Sequence, residues 1–162
     1  MEFKTLKIIF KHLFNFLVLS SISFAATANV VLVDGYVRAM PASVPNTAAY
    51  FTLENHNNNA VKLVEVKTGA AKVAQLHTII EENGMVKMRQ VDGFSIPSHG
   101  TLMLQPTGDH VMLLSLTAAL TIDDKVSLEL IFEDGQQVMI ELPVLKQATT
   151  QHDENAEHHH HH

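Results

Sequence analysis

The chain has 162 residues, of which 46% are hydrophobic and 6% aromatic, and its formal net charge is −6. This length suits one domain with a substantial core, and the acidic balance argues against binding nucleic acid, which needs a basic face. Cys is absent, which argues against disulfide scaffolds, thiolate zinc sites, cysteine nucleophiles and a cysteine-linked lipid anchor. A site for a soft metal must therefore use His and Met.

The first 28 residues are predicted to be a secretory signal peptide. Three lysines outweigh one glutamate in the first 11 residues, and the apolar run "LFNFLVLSSISF" follows at residues 13–24. The segment "ATA" at residues 26–28 is a small-x-small cleavage site. Because the apolar run is shorter than the roughly 20 residues that span a bilayer, an uncleaved anchor is the weaker alternative. We expect export to the periplasm and no stable membrane insertion.

Residues 29–146 are predicted to form one all-β domain. Short strand-like runs, mostly separated by Gly, Pro or Asn, occupy residues 30–39, 48–55, 61–68, 72–80, 101–106, 110–116, 125–134 and 136–144. Val126, Leu128, Leu130 and Phe132 alternate with Ser127, Glu129 and Ile131 in the manner of a half-buried strand. Asp134-Gly135 predicts a hairpin turn after it. No segment shows a sustained helical stripe. This pattern favours a β-sandwich or Greek-key barrel.

His77 and Met88 lie on the two arms of a second predicted hairpin. If Asn83-Gly84 is a two-residue turn, His77 faces Gln90 and Met88 lies diagonally on the same side. If residues 81–84 all loop out, His77 faces Met88 directly. Side chains alternate with period two and paired strands share that parity. Both registers therefore place the two side chains on one face.

His110 and Met112 stand two residues apart in "HVMLLSL" and share one face of their own strand by the same rule. Two β elements therefore each present one imidazole and one thioether. Thioethers are soft donors that suit monovalent copper, whereas magnesium and calcium prefer oxygen ligands and zinc takes thiolate, imidazole or carboxylate donors. Met85 stays open as a substitute ligand because it shares the hairpin with Met88. Structural roles are expected for the other candidates: Met40, Met103, Met139, His56 and His99.

The spacing of the four residues is His77, ten residues, Met88, twenty-one residues, His110, one residue, Met112. It resembles the H-x10-M-x21-H-x-M signature of the periplasmic copper chaperones called PCu(A)C. The resemblance extends over residues 30–144 and includes "YVRAMP", "AAYFTLEN", "MRQVDGFSIPSHGT" and "LIFEDGQQVMIELPV". Tyr36 stands where members of that family usually carry Trp, at a position that we interpret as structural.

The resemblance implies a cupredoxin-like Greek-key β-barrel that holds Cu(I) at an exposed site through His77, Met88, His110 and Met112. It also implies delivery by ligand exchange toward the binuclear copper centre in the copper-domain subunit of cytochrome c oxidase, together with Sco-type proteins. We expect a monomer that is not an enzyme. A copper buffer for resistance, a small copper oxidase and an adhesive β-sandwich without metal are the alternatives.

The C-terminal residues 147–162 are acidic and His-rich and lack an apolar anchor, which predicts a disordered tail. The run His158–His162 has two interpretations, a purification tag or a native metal-binding tail, and we favour the native tail. Its imidazoles, with His152, are expected to bind Cu(II), which nitrogen donors suit better than Cu(I).

Overall fold

The computed structural model describes residues 29–146 and is built from β-strands, with no helix in that range. The strands are β1 (Val30–Arg38), β2 (Thr47–Asn55), β3 (Val61–Lys67), β4 (Ala71–Glu82), β5 (Met85–Gln90), β6 (Phe94–Ile96), β7 (Thr101–Met103), β8 (His110–Leu116), β9 (Lys125–Phe132) and β10 (Gln137–Leu145). The all-β prediction is therefore confirmed. The predicted signal peptide and the predicted His-rich tail lie outside the described residues.

The strands follow the order β5-β4-β8-β2-β1-β10-β9-β3-β6, with β7 pairing β2 off this path. Strand β10 joins two layers, because it pairs antiparallel with β9 along its length and parallel with the end of β1 only at Val37↔Val144 and Arg38↔Leu145. One layer contains β5, β4, β8, β2 and β1, and the other contains β10, β9, β3 and β6. Their apolar faces pack together into one core, so the molecule is a β-sandwich.

The core is built by the alternation that the sequence predicted. On β9 the buried side chains are Val126, Leu128, Leu130 and Phe132. Strand β10 and the opposing layer contribute the same kind of side chain to the core cluster, including Phe51, Leu53, Val111, Leu113, Ile140 and Leu142. Full burial stabilises each such side chain by about 1.5–3 kcal/mol relative to water exposure. This core fixes which face of each strand points outward.

The β9–β10 hairpin forms at the predicted turn. Gly135 has a φ of 86° and its N–H donates to the Phe132 carbonyl over 2.9 Å. The Asp134 carboxylate accepts a hydrogen bond from the Gln136 N–H at 2.9 Å. Strand β6, by contrast, was not predicted. It has three residues, too few for a period-two pattern, and it exists because it pairs with β3.

The β4–β5 hairpin adopts the two-residue turn that was the first of the two expected registers. Asn83 and Gly84 have φ values of 55° and 73°, which are the two positive values of a type I′ turn. Glu82 consequently pairs with Met85, and His77 pairs with Gln90.

No helix within residues 29–146 is long and apolar enough to cross a membrane.

Candidate metal centre

A row of ring side chains crosses four neighbouring strands on the outer face of the β5-β4-β8-β2-β1 layer. Tyr36 pairs with Tyr50 across β1 and β2, and His110 pairs with His77 across β8 and β4. The ring centroids are 5.3 Å apart for the two tyrosines, 6.2 Å for Tyr50 and His110, and 5.8 Å for the two histidines. The two predicted imidazole ligands are therefore direct cross-strand neighbours.

The two predicted thioether ligands lie on the same outer face. Met112 stands two residues beyond His110, pairs with Ala48, and packs against a small cluster formed by Tyr36, Ala48 and Tyr50. Met88 pairs with Ile79, two residues along β4 from His77, and so flanks the imidazole diagonally. Side chains two apart share a face, and the structure thus brings all four side chains to one side of the sheet.

An open cleft of about 270 Å³ lies over this part of the sheet. Met88, His110 and Met112 line it, together with Arg38 and Met40. His77 does not line the cleft and lies beside it, against His110. The cleft therefore contains three of the four predicted ligands, with the fourth one strand away.

Local hydrogen bonds determine which nitrogen of His110 can bind a metal. The side chain is buried, with 3% of its surface exposed, and Nδ1 is 2.9 Å from the Gly108 carbonyl oxygen. A carbonyl only accepts, so in the neutral ring Nδ1 carries the proton and Nε2 keeps a free lone pair. A backbone carbonyl on the second ring nitrogen is the usual device that orients a metal-binding histidine.

His77 has a buried ring nitrogen to which no residue in the described range 29–146 is hydrogen-bonded. Its Nε2 lies 3.0 Å from the side-chain oxygen of Gln75, so Nε2 donates and Nδ1 keeps the lone pair. That Nδ1 is buried without a hydrogen bond among the described residues. Such an atom is rare in a folded protein and calls for an explanation. Burial, followed by the neighbouring His110, lowers the pKa of His77, which favours the neutral, metal-binding form of the ring.

The donors around the cleft suit a soft cation of low charge. No carboxylate lines it in the described part of the chain, whereas Arg38 does. Within residues 29–146, no three His, Cys, Asp or Glu side chains form a group that could hold a metal ion. Burial raises the pKa of Tyr50, although Arg38 opposes that shift, so Tyr50 stays neutral. Neutral imidazoles and thioethers are ligands for Cu(I), not for Mg²⁺ or Ca²⁺.

The register places Met85 on the opposite face of the hairpin from the four predicted ligands. Met85 pairs with Glu82 and is an odd number of residues from Met88, so its side chain points to the opposite face of the hairpin.

Met103 and Met139 are 61% and 65% exposed on β7 and β10, where they cover the surface and do not fill the core.

The two loop histidines make contacts of their own. The imidazole of His56 lies 3.4 Å from the Glu54 carboxylate, and that of His99 lies 3.1 Å from the Asn58 side chain. Both positions are outside the cleft. The structural roles expected for these residues agree with these contacts.

The structure shows contacts of Tyr36 and Met40 at the candidate site that the sequence did not predict. Tyr36 is 6% exposed and belongs to the cluster against which Met112 packs, so it is structural as predicted and also supports a predicted ligand. Met40 was predicted to have only a structural role in a turn, yet it lines the cleft. The adjacent Pro41 predicted the turn, but no local sequence pattern shows that the turn lies next to the cleft.

Comparison with known proteins places the chain in a family. The family model described as "Putative lipoprotein LpqE-like" matches residues 30–144. The chain belongs to the LpqE-like family.

Two curated relatives are similar to this LpqE-like chain. The "Putative lipoprotein Lxx21020" of Leifsonia xyli is 36% identical over 99 residues, which cover 60% of each chain. The "Uncharacterized protein RP573" of Rickettsia prowazekii is 29% identical over 102 residues, which cover 62% of this chain and 56% of the relative. The match thus spans about three fifths of the length of these relatives.

Solved structures share the fold. The Cu(I) form of DR1885 from Deinococcus radiodurans is 34% identical, with a TM-score of 0.62, and the match covers 81% of this chain and 87% of that one. The copper-bound PCuAC domain of PmoF2 has a TM-score of 0.61 at 19% identity, with 74% and 94% of the two chains covered. This likeness confirms the predicted cupredoxin-like β-sandwich.

Proposed function

We propose that this LpqE-like protein is an exported Cu(I) chaperone that holds one copper ion between His77, Met88, His110 and Met112. The observation that carries the proposal is Nδ1 of His77, which is buried, has no hydrogen-bond partner in the described part of the chain, and belongs to a ring next to that of His110. His77 Nδ1 and His110 Nε2 thus each keep a free lone pair, in neighbouring rings on the same face of the sheet as the two thioethers. The solved structure of Cu(I)-bound DR1885, which is 34% identical to this chain, supports the same cargo.

The division between buried and exposed ligands suits transfer by ligand exchange. His110 is 3% exposed, whereas Met88 is 61% exposed and lies on β5, at the edge of the sheet. An acceptor can therefore approach copper from the Met88 side and displace that thioether first. Thioethers are neutral whether bound or free, so the release of copper from Met88 and Met112 requires no uptake of a proton by these ligands.

The acceptor that we propose is the copper-domain subunit of cytochrome c oxidase, with Sco-type proteins acting in the same delivery. This step rests on the resemblance to PCu(A)C proteins. Transfer changes no covalent bond in a substrate, and we therefore propose a binding protein, not an enzyme. Names of relatives that describe lipoproteins support export, and we place the site of action in the periplasm.

An anaerobic Cu(I) titration of the full chain tests the proposal. We expect one tightly bound Cu(I), with two sulfur and two nitrogen neighbours in X-ray absorption spectra. His110→Ala should weaken binding more than either methionine variant, because it removes a strong nitrogen donor whose orientation the Gly108 carbonyl fixes. A copper spectrum without sulfur scattering would end the proposal.

Transfer distinguishes delivery from storage. Mixing the Cu(I)-loaded protein with an oxidase copper domain should move copper to that domain. Retention of copper by the LpqE-like protein would instead support the alternative, a periplasmic buffer for copper resistance. Oxidative turnover of a substrate by a Cu(II) centre would favour a copper oxidase.

The His-rich tail is proposed to bind Cu(II) separately, through His152 and His158–His162. Truncation after Lys146 should remove a Cu(II) signal from electron paramagnetic resonance and leave one Cu(I) bound. If truncation abolishes Cu(I) binding, the tail belongs to the main site and the division into two sites is wrong.

A further inference from the structure

A third thioether, that of Met40, shares the cleft with two of the proposed ligands. Met40 lies two residues after the end of β1, is half-buried, and lines the cleft with Met88, His110 and Met112. Two imidazoles and two thioethers already supply four donors. Met40 is therefore an additional soft donor at the place where copper would be held and released.

The backbone on either side of Met40 is anchored. The Ala39 N–H donates to the Leu145 carbonyl at 2.7 Å, and the Thr47 hydroxyl donates to the Arg38 carbonyl at 2.6 Å. Beyond Met40, the Val44 N–H donates to the Pro41 carbonyl at 2.8 Å. These bonds hold the loop over the sheet. The side chain itself keeps three rotatable bonds and a polarisable sulfur, so it can change position while the loop stays in place.

We propose that Met40 is a transfer ligand, which binds Cu(I) as Met88 leaves it. This inference rests on the proposed function. In the exchange, the bond between copper and the Met88 sulfur breaks and a bond to the Met40 sulfur forms. One neutral thioether replaces another, so copper stays Cu(I) and no proton moves. Copper keeps a full set of donors while its exposed side opens to an acceptor.

The contrast between Met40 and Met88 gives each a different part in this exchange. Met88 is 61% exposed on β5, whose one neighbour among the described strands is β4, and so belongs to the outer rim. Met40 is half-buried and lies on a loop attached to β1 and β10. Exchange from Met88 to Met40 moves copper toward the better-protected side of the cleft and leaves the rim free for an incoming ligand.

The test compares Met40→Leu with Met103→Leu in the full chain. Met→Leu nearly conserves side-chain volume, and Met103 lies on β7, outside the cleft. Cu(I) is loaded anaerobically and its transfer to the chromophoric chelator bicinchoninate is followed by stopped flow. We expect Met40→Leu to slow transfer at least threefold while the equilibrium Cu(I) affinity changes less than twofold. Met103→Leu should match the wild type in both.

A second readout observes the thioether directly. In protein labelled with ¹³C at the methionine methyls, substoichiometric Cu(I) should broaden or shift the Met40 resonance, and the Met103 resonance should not respond. Wild-type transfer kinetics in Met40→Leu would overturn the inference. So would a tenfold loss of affinity with one fewer sulfur in the X-ray absorption spectrum, because Met40 would then be a resident ligand. If the wild type binds no Cu(I) through sulfur, the proposed function itself fails.

Discussion

Replacing Met88 or Met112 by Leu separates copper binding from packing, because the two methionines differ in burial. Met88 is 61% exposed, so Met88→Leu should change the free energy of unfolding of the metal-free protein by less than about 0.5 kcal/mol. Met112 packs against the Tyr36–Ala48–Tyr50 cluster. Its volume-conserving replacement should cost at most about 1.5 kcal/mol.

The same two substitutions should weaken Cu(I) binding strongly. Each variant loses a thioether donor and should bind Cu(I) at least tenfold more weakly, a loss of about 1.4 kcal/mol. The affinities are measured by anaerobic competition with a Cu(I) chelator, and the unfolding free energies by urea titration of the metal-free proteins. For Met88→Leu the expected loss of copper-binding free energy is thus at least about 2.8 times the change in the free energy of unfolding.

Met103→Leu is the matched control, since Met103 has the same exposed fraction, 61%, as Met88. It should leave both quantities unchanged. If Met88 and Met112 only cover the surface or pack, Met112→Leu would change the free energy of unfolding, and neither variant would change the Cu(I) affinity. Wild-type Cu(I) affinity in the Met88→Leu, Met112→Leu double variant would refute the assignment of the ligands.

Three further predictions concern the hairpin, the histidine and the fold. Gly84→Ala should weaken the β4–β5 hairpin and lower Cu(I) affinity, because a residue with a φ of 73° is strained by a Cβ; hydrogen exchange across the hairpin and a copper titration measure this. The pKa of His77 is lowered in the folded state from its ordinary value of 6.5. At pH values well above 6.5 the ring is neutral in both the folded and the unfolded chain, so it contributes no pH dependence to the free energy of unfolding. Below pH 6.5 the ring takes up a proton more readily in the unfolded chain than in the folded chain, so the free energy of unfolding falls as the pH falls. Urea titrations from pH 7.5 to 5 should show a shallower fall of this free energy for His77→Gln than for the wild type. Equal falls in the two proteins would contradict the assignment of this pH dependence to His77. Gly35→Ala should cost more than about 2 kcal/mol by thermal unfolding, because a Cβ there would lie 2.5 Å from that of Phe51 and force overpacking.

The sequence by itself determined the features that depend on neighbours along the chain. Period-two alternation identified most of the strands and their buried faces, and Asn83-Gly84 and Asp134-Gly135 located two turns. Parity alone placed His77 and Met88 on one side of their hairpin, and His110 and Met112 on one side of their strand. These inferences succeeded because side-chain direction in a strand is a local property.

Only the tertiary structure decided which distant strands meet. The direct pairing of His77 with His110, across 33 positions of sequence, follows from the placement of β8 between β4 and β2, and that order depends on how the two layers share one core. The same packing buries His110, leaves Nδ1 of His77 without a hydrogen-bond partner within residues 29–146, and places Met40 at the cleft. No local pattern encodes these contacts, because each depends on the register between strands that the chain connects only through the rest of the fold.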